Sequence, residues 1–342
     1  MQIGKKNIID CGVYVIAEVG GNHNGDIDKA LELVSSAASA GADAVKFQTY
    51  KAENLVLPSL KPLSHVRSSY ASQFDRFKSL ELTNDDYLKI VSLCQQLGID
   101  FMTTPFDMDA LIKFSPQMPA IKIASGDLTY KQLVEKAAAL NKPVILSTGM
   151  ANVEEIDNAL AWVHRYTSQI VLMHCVSIYP CPDHHANLNS IQMMLEKWGG
   201  ECVIGYSDHT IGSSACLAAV ALGARVIEKH FTFDKNQKIG DHNHSLTQYE
   251  LEDLIKQIRS INLQLGFADK KISEKEIDMR NWMRRGVYWK HSKNPGETIN
   301  IEDFVFLRPE NSIKPSELSS FVGRKLAVKV ERHSVPSLED LI

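Results

Sequence analysis

The feature that most constrains this chain is a series of short apolar runs, each ending on a residue that can carry charge or donate a hydrogen bond. Eight such runs follow one another, the first at Val13–Val19 with Glu18 inside it and the last leading into His230. Buried parallel strands read as continuous apolar runs, and their carboxyl ends carry the chemistry in a closed barrel. The pattern predicts a (β/α)₈ barrel with a polar mouth.

Segments with helical periodicity separate the apolar runs. Asp26–Ala40 has apolar residues at the i, i+3, i+4 spacing of an amphipathic helix and stops at Gly41. A doubly wound sheet is the alternative arrangement, but residues 20–25 after the first strand do not read G-x-G-x-x-G. The closed barrel is therefore favoured. The other predicted helices are Asn84–Leu97, Tyr130–Leu140, Val153–His164, Asn189–Trp198, Ser213–Leu222 and Thr247–Leu265.

The alternation of predicted strands and helices stops well before the end of the 342-residue chain. We predict a barrel domain over residues 1–268, a charged linker over 269–285 and a small β-rich domain over 286–342. The short strands predicted in that last domain are Gly286–Trp289, Phe304–Leu307 and Leu326–Val330. A polar insertion, Lys51–Leu80, interrupts the barrel after the second strand and suggests a lid or a subunit contact.

Composition and charge narrow the class of protein. The chain is 44% hydrophobic and carries a net charge of -4, which offers no basic stripe for nucleic acid and no polybasic patch for a membrane surface. The first residues lack the apolar core of a signal peptide, and no apolar stretch is long enough to span a bilayer. The six cysteines show no framework spacing, so buried free thiols and a cytoplasmic location are expected.

The strand ends hold the candidate chemistry. His209 and His230 follow the seventh and eighth strands, so two imidazoles could share one divalent ion of the Mn²⁺, Mg²⁺ or Co²⁺ type. Lys46 and Lys122 could bind a phosphate or a carboxylate, or one of them could form a Schiff base. Glu18 would be costly in a buried strand without a partner or a task.

Further polar groups surround the same mouth. Asp241 lies in the loop after the eighth strand and could act as an acid, a base or a sugar-hydroxyl acceptor. His242 and His244 make that loop histidine-rich, which a solvated loop explains equally well. A single strand-end hydroxyl usually caps a helix or strand, but the density of donors suits an anionic substrate. These hydroxyl donors are Thr104, Ser125, Ser147 and Ser207.

Ordered motifs stand at the ends of the predicted strands, namely Ile16–Gly25, Val45–Thr49, Thr104–Phe106, Lys122–Gly126, Leu146–Met150, His174–Pro180, Ser207–His209 and Glu228–Phe231. Together they resemble the sialic acid synthase family over nearly the whole chain. The tail resembles that family's C-terminal antifreeze-like (SAF) domain through Gly286–Val287, Pro295–Glu297, Leu307–Pro309 and Val322–Lys325.

The resemblance implies an enzyme that condenses phosphoenolpyruvate with an open-chain N-acetylated aminosugar of the N-acetylmannosamine type, giving a nine-carbon sialic acid and phosphate. It implies that His209 and His230 ligate the metal, with Mn²⁺ expected, and that Arg308 enters the neighbouring subunit of a domain-swapped homodimer. It places a sugar-facing set at Glu18, Gln48, Tyr179 and Asp241, and it places Ser177 among the substrate-binding residues. It places the phosphoenolpyruvate set at Lys46, Thr104, Lys122, Ser125, Ser147 and Ser207.

The chain departs from the family pattern at three places, of which the last two would contact the sugar and leave its identity open. Ser177 stands where several members carry Asn, the loop reads Gly240-Asp241-His242 where many read Gly-Pro-Asp-His, and Glu310 follows Arg308-Pro309 where Gly is common. N-acetylmannosamine 6-phosphate and a 2,4-diacetamido-trideoxyhexose, the precursor of legionaminic or pseudaminic acid, are alternative acceptors. A Schiff-base pyruvate aldolase or lyase and a non-catalytic saccharide- or ice-binding protein are the rival functions.

Overall fold

The computed structural model describes residues 1–8, 12–62, 70–237 and 240–342. It divides into two compact units, Met1–Gly266 and Phe267–Ile342. Cys11, residues 63–69 of the predicted insertion, and Lys238 and Ile239 in the loop after the last barrel strand lie outside the described residues.

The first unit is the predicted barrel. A hairpin of β1 (Gln2–Ile3) and β2 (Lys6–Asn7) precedes it. The described residues then form eight parallel strands in the order β5-β4-β3-β10-β9-β8-β7-β6, and among them no ladder joins β5 to β6, so the barrel is nearly closed. These strands are β3 (Tyr14–Glu18), β4 (Ala44–Thr49), β5 (Asp100–Pro105), β6 (Ile121–Ile123), β7 (Val144–Ser147), β8 (Ile170–Cys175), β9 (Val203–Asp208) and β10 (Val226–His230).

Helices cover the outside of the barrel, and the seven predicted from periodicity are confirmed. Their ends carry the expected caps, as in the Thr83–Asp86 capping box and the left-handed Gly98 that bound the helix of residues 84–97. Among the described residues of this unit, three short helices were not predicted, since fewer than two turns give no readable period. The helices of this unit are α1 (Ile27–Ser39), α2 (Ala52–Leu55), α3 (Gln73–Ser79), α4 (Asn84–Leu97), α5 (Met108–Phe114), α6 (Lys131–Ala138), α7 (Val153–Val163), α8 (Asn189–Trp198), α9 (Ser214–Ala221) and α10 (Gln248–Leu265).

Two apolar clusters hold the barrel together. The larger lies between the sheet and the helices, and the smaller fills the barrel interior with residues such as Tyr14, Met102 and Met173. Ile3 in the N-terminal hairpin and Ile8 just after it belong to the interior cluster and are fully buried. They close the end of the barrel where the strands begin, so the polar mouth lies at the opposite end.

The second unit is small and has its own core. It contains α11 (Glu274–Met283) and an antiparallel pair, β11 (Gly286–Trp289) with β12 (Phe304–Leu307). Its apolar cluster includes Trp289 and Phe321, both fully buried. The helix α11 lies within the stretch predicted as a linker, and the domain boundaries 1–268, 269–285 and 286–342 stay a prediction.

The predicted strand Leu326–Val330 is wrong. Its backbone bonds go to separate segments, with isolated bridges from Lys325 to Thr298, from Leu326 to Leu341 and from Val330 to Lys293. Because no single neighbour runs alongside it, no continuous ladder forms and the apolar pattern alone was misleading.

Two general expectations can be compared with the described residues. Cys94, Cys175, Cys181, Cys202 and Cys216 are buried free thiols. In the described part of the chain, no helix is both long enough and apolar enough to cross a membrane.

Candidate active site

Strand register brings the predicted residues of the first two barrel strands together. Glu18, the last residue of β3, is aligned with Lys46 of β4 on one side and with His230 of β10 on the other. Gln48 is likewise aligned with Thr104 of β5. Because neighbouring positions on parallel strands point to the same side of a barrel, these side chains meet at the carboxyl end.

Lys46 is the centre of this group. Its Nζ lies 2.6 Å from a carboxylate oxygen of Glu18 and donates a hydrogen bond of 2.8 Å to Thr104 Oγ1. Gln48 Nε2 donates to the other oxygen of Glu18 at 3.0 Å. Lys46 and Glu18 are almost completely removed from solvent, so the ion pair compensates for burying both charges.

A second carboxylate, which the sequence did not identify as a site residue, joins the cluster. Glu228 in β10 lies 3.7 Å from both Lys46 Nζ and Lys122 Nζ. It accepts a hydrogen bond of 3.2 Å from Ser207 Oγ, the residue aligned with it on β9. Two buried lysines therefore face two buried carboxylates across the barrel interior.

The four charges change one another's acid–base behaviour. Burial raises the pKa of Glu18 to about 7, against the opposing effect of Lys46 and with a further contribution from Glu228. Burial also opposes ionisation of Glu228, but Lys122 and Lys46 outweigh it and lower the pKa. Burial lowers the pKa of Lys122, whereas Glu18 and Glu228 outweigh burial and raise the pKa of Lys46.

The predicted serines converge on a second part of the mouth. Gly149 N donates a 3.0 Å hydrogen bond to Ser125 Oγ. A Cβ placed on Gly149 would lie 2.3 Å from Ser177 Oγ and 2.8 Å from Ser125 Oγ, so these hydroxyls crowd the same glycine. Ser177 Oγ and Ser147 Oγ are buried without a hydrogen-bond partner among the described residues. Unpaired buried hydroxyls are costly, which indicates that a ligand supplies their partners.

His209 and His230 meet at the mouth, as the sequence predicts. Their ring centroids are 5.5 Å apart, a separation that lets two imidazoles share one ion. His209 Nδ1 donates to the Val176 carbonyl at 2.8 Å, which fixes the tautomer that presents a lone pair at Nε2. His230 Nδ1 is buried and has no hydrogen-bond partner in the described part of the chain.

The donor set fits a divalent ion held by few protein ligands. Burial and the neighbouring rings of His244 and His209 lower the pKa of His230, so its ring stays neutral and able to ligate. Within residues 1–8, 12–62, 70–237 and 240–342, no three His, Cys, Asp or Glu side chains form a ready-made metal cluster. Two imidazoles would therefore share the ion with water and substrate oxygens, an open arrangement that suits catalysis.

A loop after β10 forms one wall of the site. Asn22 holds it, since its amide donates to the Phe231 carbonyl at 2.9 Å and to Ser245 Oγ at 3.0 Å, and its oxygen accepts from Asp241 N at 2.8 Å. A Cβ placed on Gly20 would lie 3.3 Å from a carbon of the His230 ring and 3.4 Å from the carboxylates of both Asp241 and Glu18. Asp241 therefore belongs to the same group as Glu18 and His230.

Aromatic rings complete this wall. The Tyr179 ring lies 4.2 Å from the His209 ring and 5.7 Å from that of His244. His244 is buried, contrary to the solvated position that the sequence allowed, and lies 4.8 Å from His230 between ring centroids. Sequence reasoning missed Asn22 and His244 as site residues, because only the folded loop shows where they point.

Arg308 is the one predicted site residue outside the first unit. It follows β12 in the second unit and is exposed there. Its expected position in the neighbouring subunit stays a prediction. All other predicted site residues lie in the barrel strands or in the segments that follow their carboxyl ends.

Comparisons with known proteins identify the family to which this chain belongs. The family described as the NeuB family matches residues 33–270. The chain is 38% identical over 322 residues to the N,N'-diacetyllegionaminic acid synthase of Campylobacter jejuni, with 92% of this chain and 96% of that protein covered. It is 37% identical over 328 residues to the Legionella pneumophila enzyme of the same name, covering 93% of this chain and 91% of that protein.

A solved structure of similar fold supports the same family. The N-acetylneuraminic acid (sialic acid) synthetase of Leptospira borgpetersenii, solved with citrate, has a TM-score of 0.71 and 35% identity, over 83% of this chain and 95% of that chain. Enzymes of the matched family are typically metal-dependent, and the family implies phosphoenolpyruvate and an amino sugar as substrates. This chain belongs to the NeuB family of phosphoenolpyruvate-dependent nonulosonic acid synthases.

Proposed function

We propose that this enzyme joins C3 of phosphoenolpyruvate to the aldehyde carbon of an open-chain 2,4-diacetamido-trideoxyhexose, giving a nine-carbon 2-keto acid and phosphate. The observation that carries the proposal is the buried group of Lys46, Lys122, Glu18 and Glu228 beside His209 and His230. It combines cations for an anionic substrate with a protonatable acid and a pair of metal-binding rings.

Phosphoenolpyruvate would bind between the two lysines and the serines. Lys46 and Lys122 supply the positive charge, and Ser147 and Ser177 supply hydroxyls that lack a partner in the described residues. The Glu228 carboxylate lies 3.7 Å from the Nζ atom of each lysine and compensates their positive charge before the substrate binds. Fixed charges and dipoles aimed at the phosphate and carboxylate stabilise negative charge without reorganising during the reaction.

His209 and His230 would hold the divalent metal, and the histidine-plus-oxygen donor set supports the expectation of Mn²⁺. When bound, the ion supplies Lewis-acid polarisation of the acceptor's aldehyde oxygen. The Val176 carbonyl orients His209 for this task through its 2.8 Å hydrogen bond.

Glu18 would move the proton that carbon–carbon bond formation requires. Burial raises its pKa to about 7, so it exchanges a proton near neutral pH. As C3 attacks the aldehyde carbon, the aldehyde oxygen becomes a hydroxyl by taking a proton. Water then adds at C2 of the former phosphoenolpyruvate and returns one proton to Glu18. The tetrahedral product expels phosphate, which carries away the proton of the new hydroxyl and leaves the 2-keto group.

The surroundings of both lysines argue against a Schiff-base mechanism. An amine must lose its proton to attack a carbonyl, but Glu18 at 2.6 Å helps raise the pKa of Lys46. Lys122, whose pKa burial lowers, still faces the Glu228 carboxylate at 3.7 Å. A pyruvate aldolase would also leave the paired histidines without a role.

The choice of acceptor rests on the relatives. The alignments with the two legionaminic acid synthases cover more than nine-tenths of this chain, which supports the diacetamido sugar as the acceptor. The sialic acid synthetase at 35% identity supports the sugar expected from the sequence, N-acetylmannosamine, as the second candidate. A phosphate-release assay with phosphoenolpyruvate and each acceptor in turn tests the choice, and a higher kcat/KM for the diacetamido sugar is expected.

We also propose a domain-swapped homodimer in which Arg308 completes the site of the neighbouring subunit. The support is the exposed position of Arg308 in the second unit, together with the family resemblance. Mixing an Arg308→Ala subunit with a His209→Ala subunit should restore part of the activity, because one of the two sites in a mixed dimer is then intact. No recovery after subunit exchange would contradict the swap.

A further inference from the structure

His244 is a buried polar residue that the proposed reaction does not yet use. It ends a single turn of 3₁₀ helix, His242–His244, in the loop after β10. Only 3% of its surface is exposed, and its Nε2 is buried without a hydrogen-bond partner in the part of the chain that the structure describes. A buried nitrogen without a partner destabilises the folded state, so packing alone is a poor explanation for a histidine at this position.

The surroundings of His244 show what it faces. Its ring centroid lies 4.8 Å from that of His230, 5.9 Å from that of His209 and 5.7 Å from that of Tyr179. These rings form the wall on which the acceptor sugar would lie next to the metal pair. The His244 ring, whose Nε2 has no partner among the described residues, therefore packs against the candidate metal pair and Tyr179.

Hydrogen bonds at the two ends of the turn fix the position of the His244 ring. Asn22 Oδ1 accepts from Asp241 N at 2.8 Å, and the Asn22 amide donates to Ser245 Oγ at 3.0 Å, so both ends of the turn are tied to the segment that follows β3. A side chain held in this way can bind a ligand with little further loss of conformational freedom.

We infer that His244 is a specificity-determining residue, whose Nε2 hydrogen-bonds a hydroxyl or acetamido group of the acceptor sugar. The inference rests on the proposed function. A neutral imidazole has one hydrogen-bond donor and one acceptor, so it can bind either a hydroxyl or an acetamido group. A site built to hydrogen-bond a substrate group rejects sugars that lack it, because its own buried atom is then left unpaired.

His244→Phe is the sharpest test, since it keeps a ring in the wall and removes both nitrogens. His244→Gln serves as a second variant if the phenylalanine protein fails to fold, and Asn243→Ala, at an exposed position in the same turn, is the matched control. In the phosphate-release assay we expect His244→Phe to raise the KM for the acceptor about tenfold or more, the effect of losing one hydrogen bond from a buried group. The control should leave it unchanged.

Binding measurements separate this inference from its rivals. Calorimetry on the full chain should give unchanged dissociation constants for Mn²⁺ and for phosphoenolpyruvate in His244→Phe. The unreactive sugar alcohol of each acceptor should bind the variant more weakly than the wild type, which tests the inference even if no turnover occurs. Weaker Mn²⁺ binding would overturn it by making His244 a metal ligand, and so would unchanged binding of every sugar alcohol. Absence of phosphate release by the wild type with every acceptor would instead overturn the proposed function.

Discussion

Lys229 Nζ lies 2.7 Å from Asp208 Oδ2, in an ion pair whose two side chains are completely buried. Asp208 directly precedes His209, and Lys229 directly precedes His230. The same carboxylate accepts a hydrogen bond of 2.8 Å from Thr210 N, and Lys229 also donates to the Thr210 carbonyl. Because β9 and β10 are neighbouring strands, this pair fixes the backbone on which the two candidate metal ligands stand.

The first prediction concerns this pair. Asp208→Asn leaves the Lys229 ammonium buried without its counter-charge, so the free energy of unfolding should fall by about 3–5 kcal/mol in urea titrations. Glu252→Gln breaks the surface pair of Glu252 with Lys256 and should change stability by less than about 1 kcal/mol. Equal effects of the two substitutions would contradict the role given to Asp208.

The same substitution has a defined pH dependence. Burial opposes ionisation of Asp208, but Lys229 outweighs it and lowers the pKa of this carboxyl below its ordinary 3.8. The carboxylate therefore stabilises the folded state above that ordinary value, and this contribution is lost as the pH falls through the lowered folded pKa. The stability difference between the wild type and Asp208→Asn should shrink as the pH is taken below about 4.

The second prediction concerns binding of phosphoenolpyruvate. Lys122→Met keeps the length of the side chain but removes a buried charge, so the dissociation constant for phosphoenolpyruvate should rise about 10- to 100-fold in calorimetry. The matched control is Lys197→Met, since the Lys197 side chain is 41% exposed and its Nζ pairs with Asp157 at 3.1 Å. Unchanged affinity in Lys122→Met would remove this residue from the anion site.

The third prediction concerns the crowded serines. A Cβ on Gly149 would lie 2.3 Å from Ser177 Oγ, so Gly149→Ala should displace the hydroxyls and raise the KM for phosphoenolpyruvate roughly tenfold, in line with the usual cost of overpacking. Gly126→Ala, at a position with no atom within 4 Å of the new Cβ among the described residues, is the control. A Gly149→Ala enzyme with wild-type KM would show that the serines do not define the site.

The fourth prediction concerns Glu18. Its carboxyl, with a pKa raised to about 7 by burial, is protonated below that pH, and only the protonated form can donate. The wild-type kcat for phosphate release should therefore fall as the pH rises through about 7. Glu18→Gln should have a kcat at least about 100-fold lower that does not fall over this pH range. The same fall of kcat near pH 7 in Glu18→Gln would assign the proton transfer to another group.

Much of the fold could be predicted from the sequence because the signals are local and repeated. Helix α4 was predicted at its observed bounds, since Thr83 and Gly98 mark its two ends. The strand β11 was also predicted at its observed bounds. The predicted strand Leu326–Val330 was wrong because a ladder needs a continuous neighbour, and that is a property of the folded chain.

The site was predictable where a polar residue ends an apolar run, as at His209 and His230. It was not predictable where the role depends on which way a side chain turns. Glu228 was visible beside His230 in the sequence, but only strand register shows that it faces Lys46 and Lys122. His244 looked like part of a solvated loop, and its burial follows from how Asn22 anchors that loop.

The central claim is that His209 and His230 hold the metal of a phosphoenolpyruvate-dependent synthase. The most direct measurement is phosphate release from phosphoenolpyruvate and the acceptor, made with and without a chelator on the wild type and on His209→Ala, with Mn²⁺ binding followed by calorimetry. We predict chelator-sensitive activity that Mn²⁺ restores in the wild type, and a folded His209→Ala protein that neither turns over nor binds Mn²⁺ tightly. Metal-independent phosphate release by His209→Ala would contradict the account.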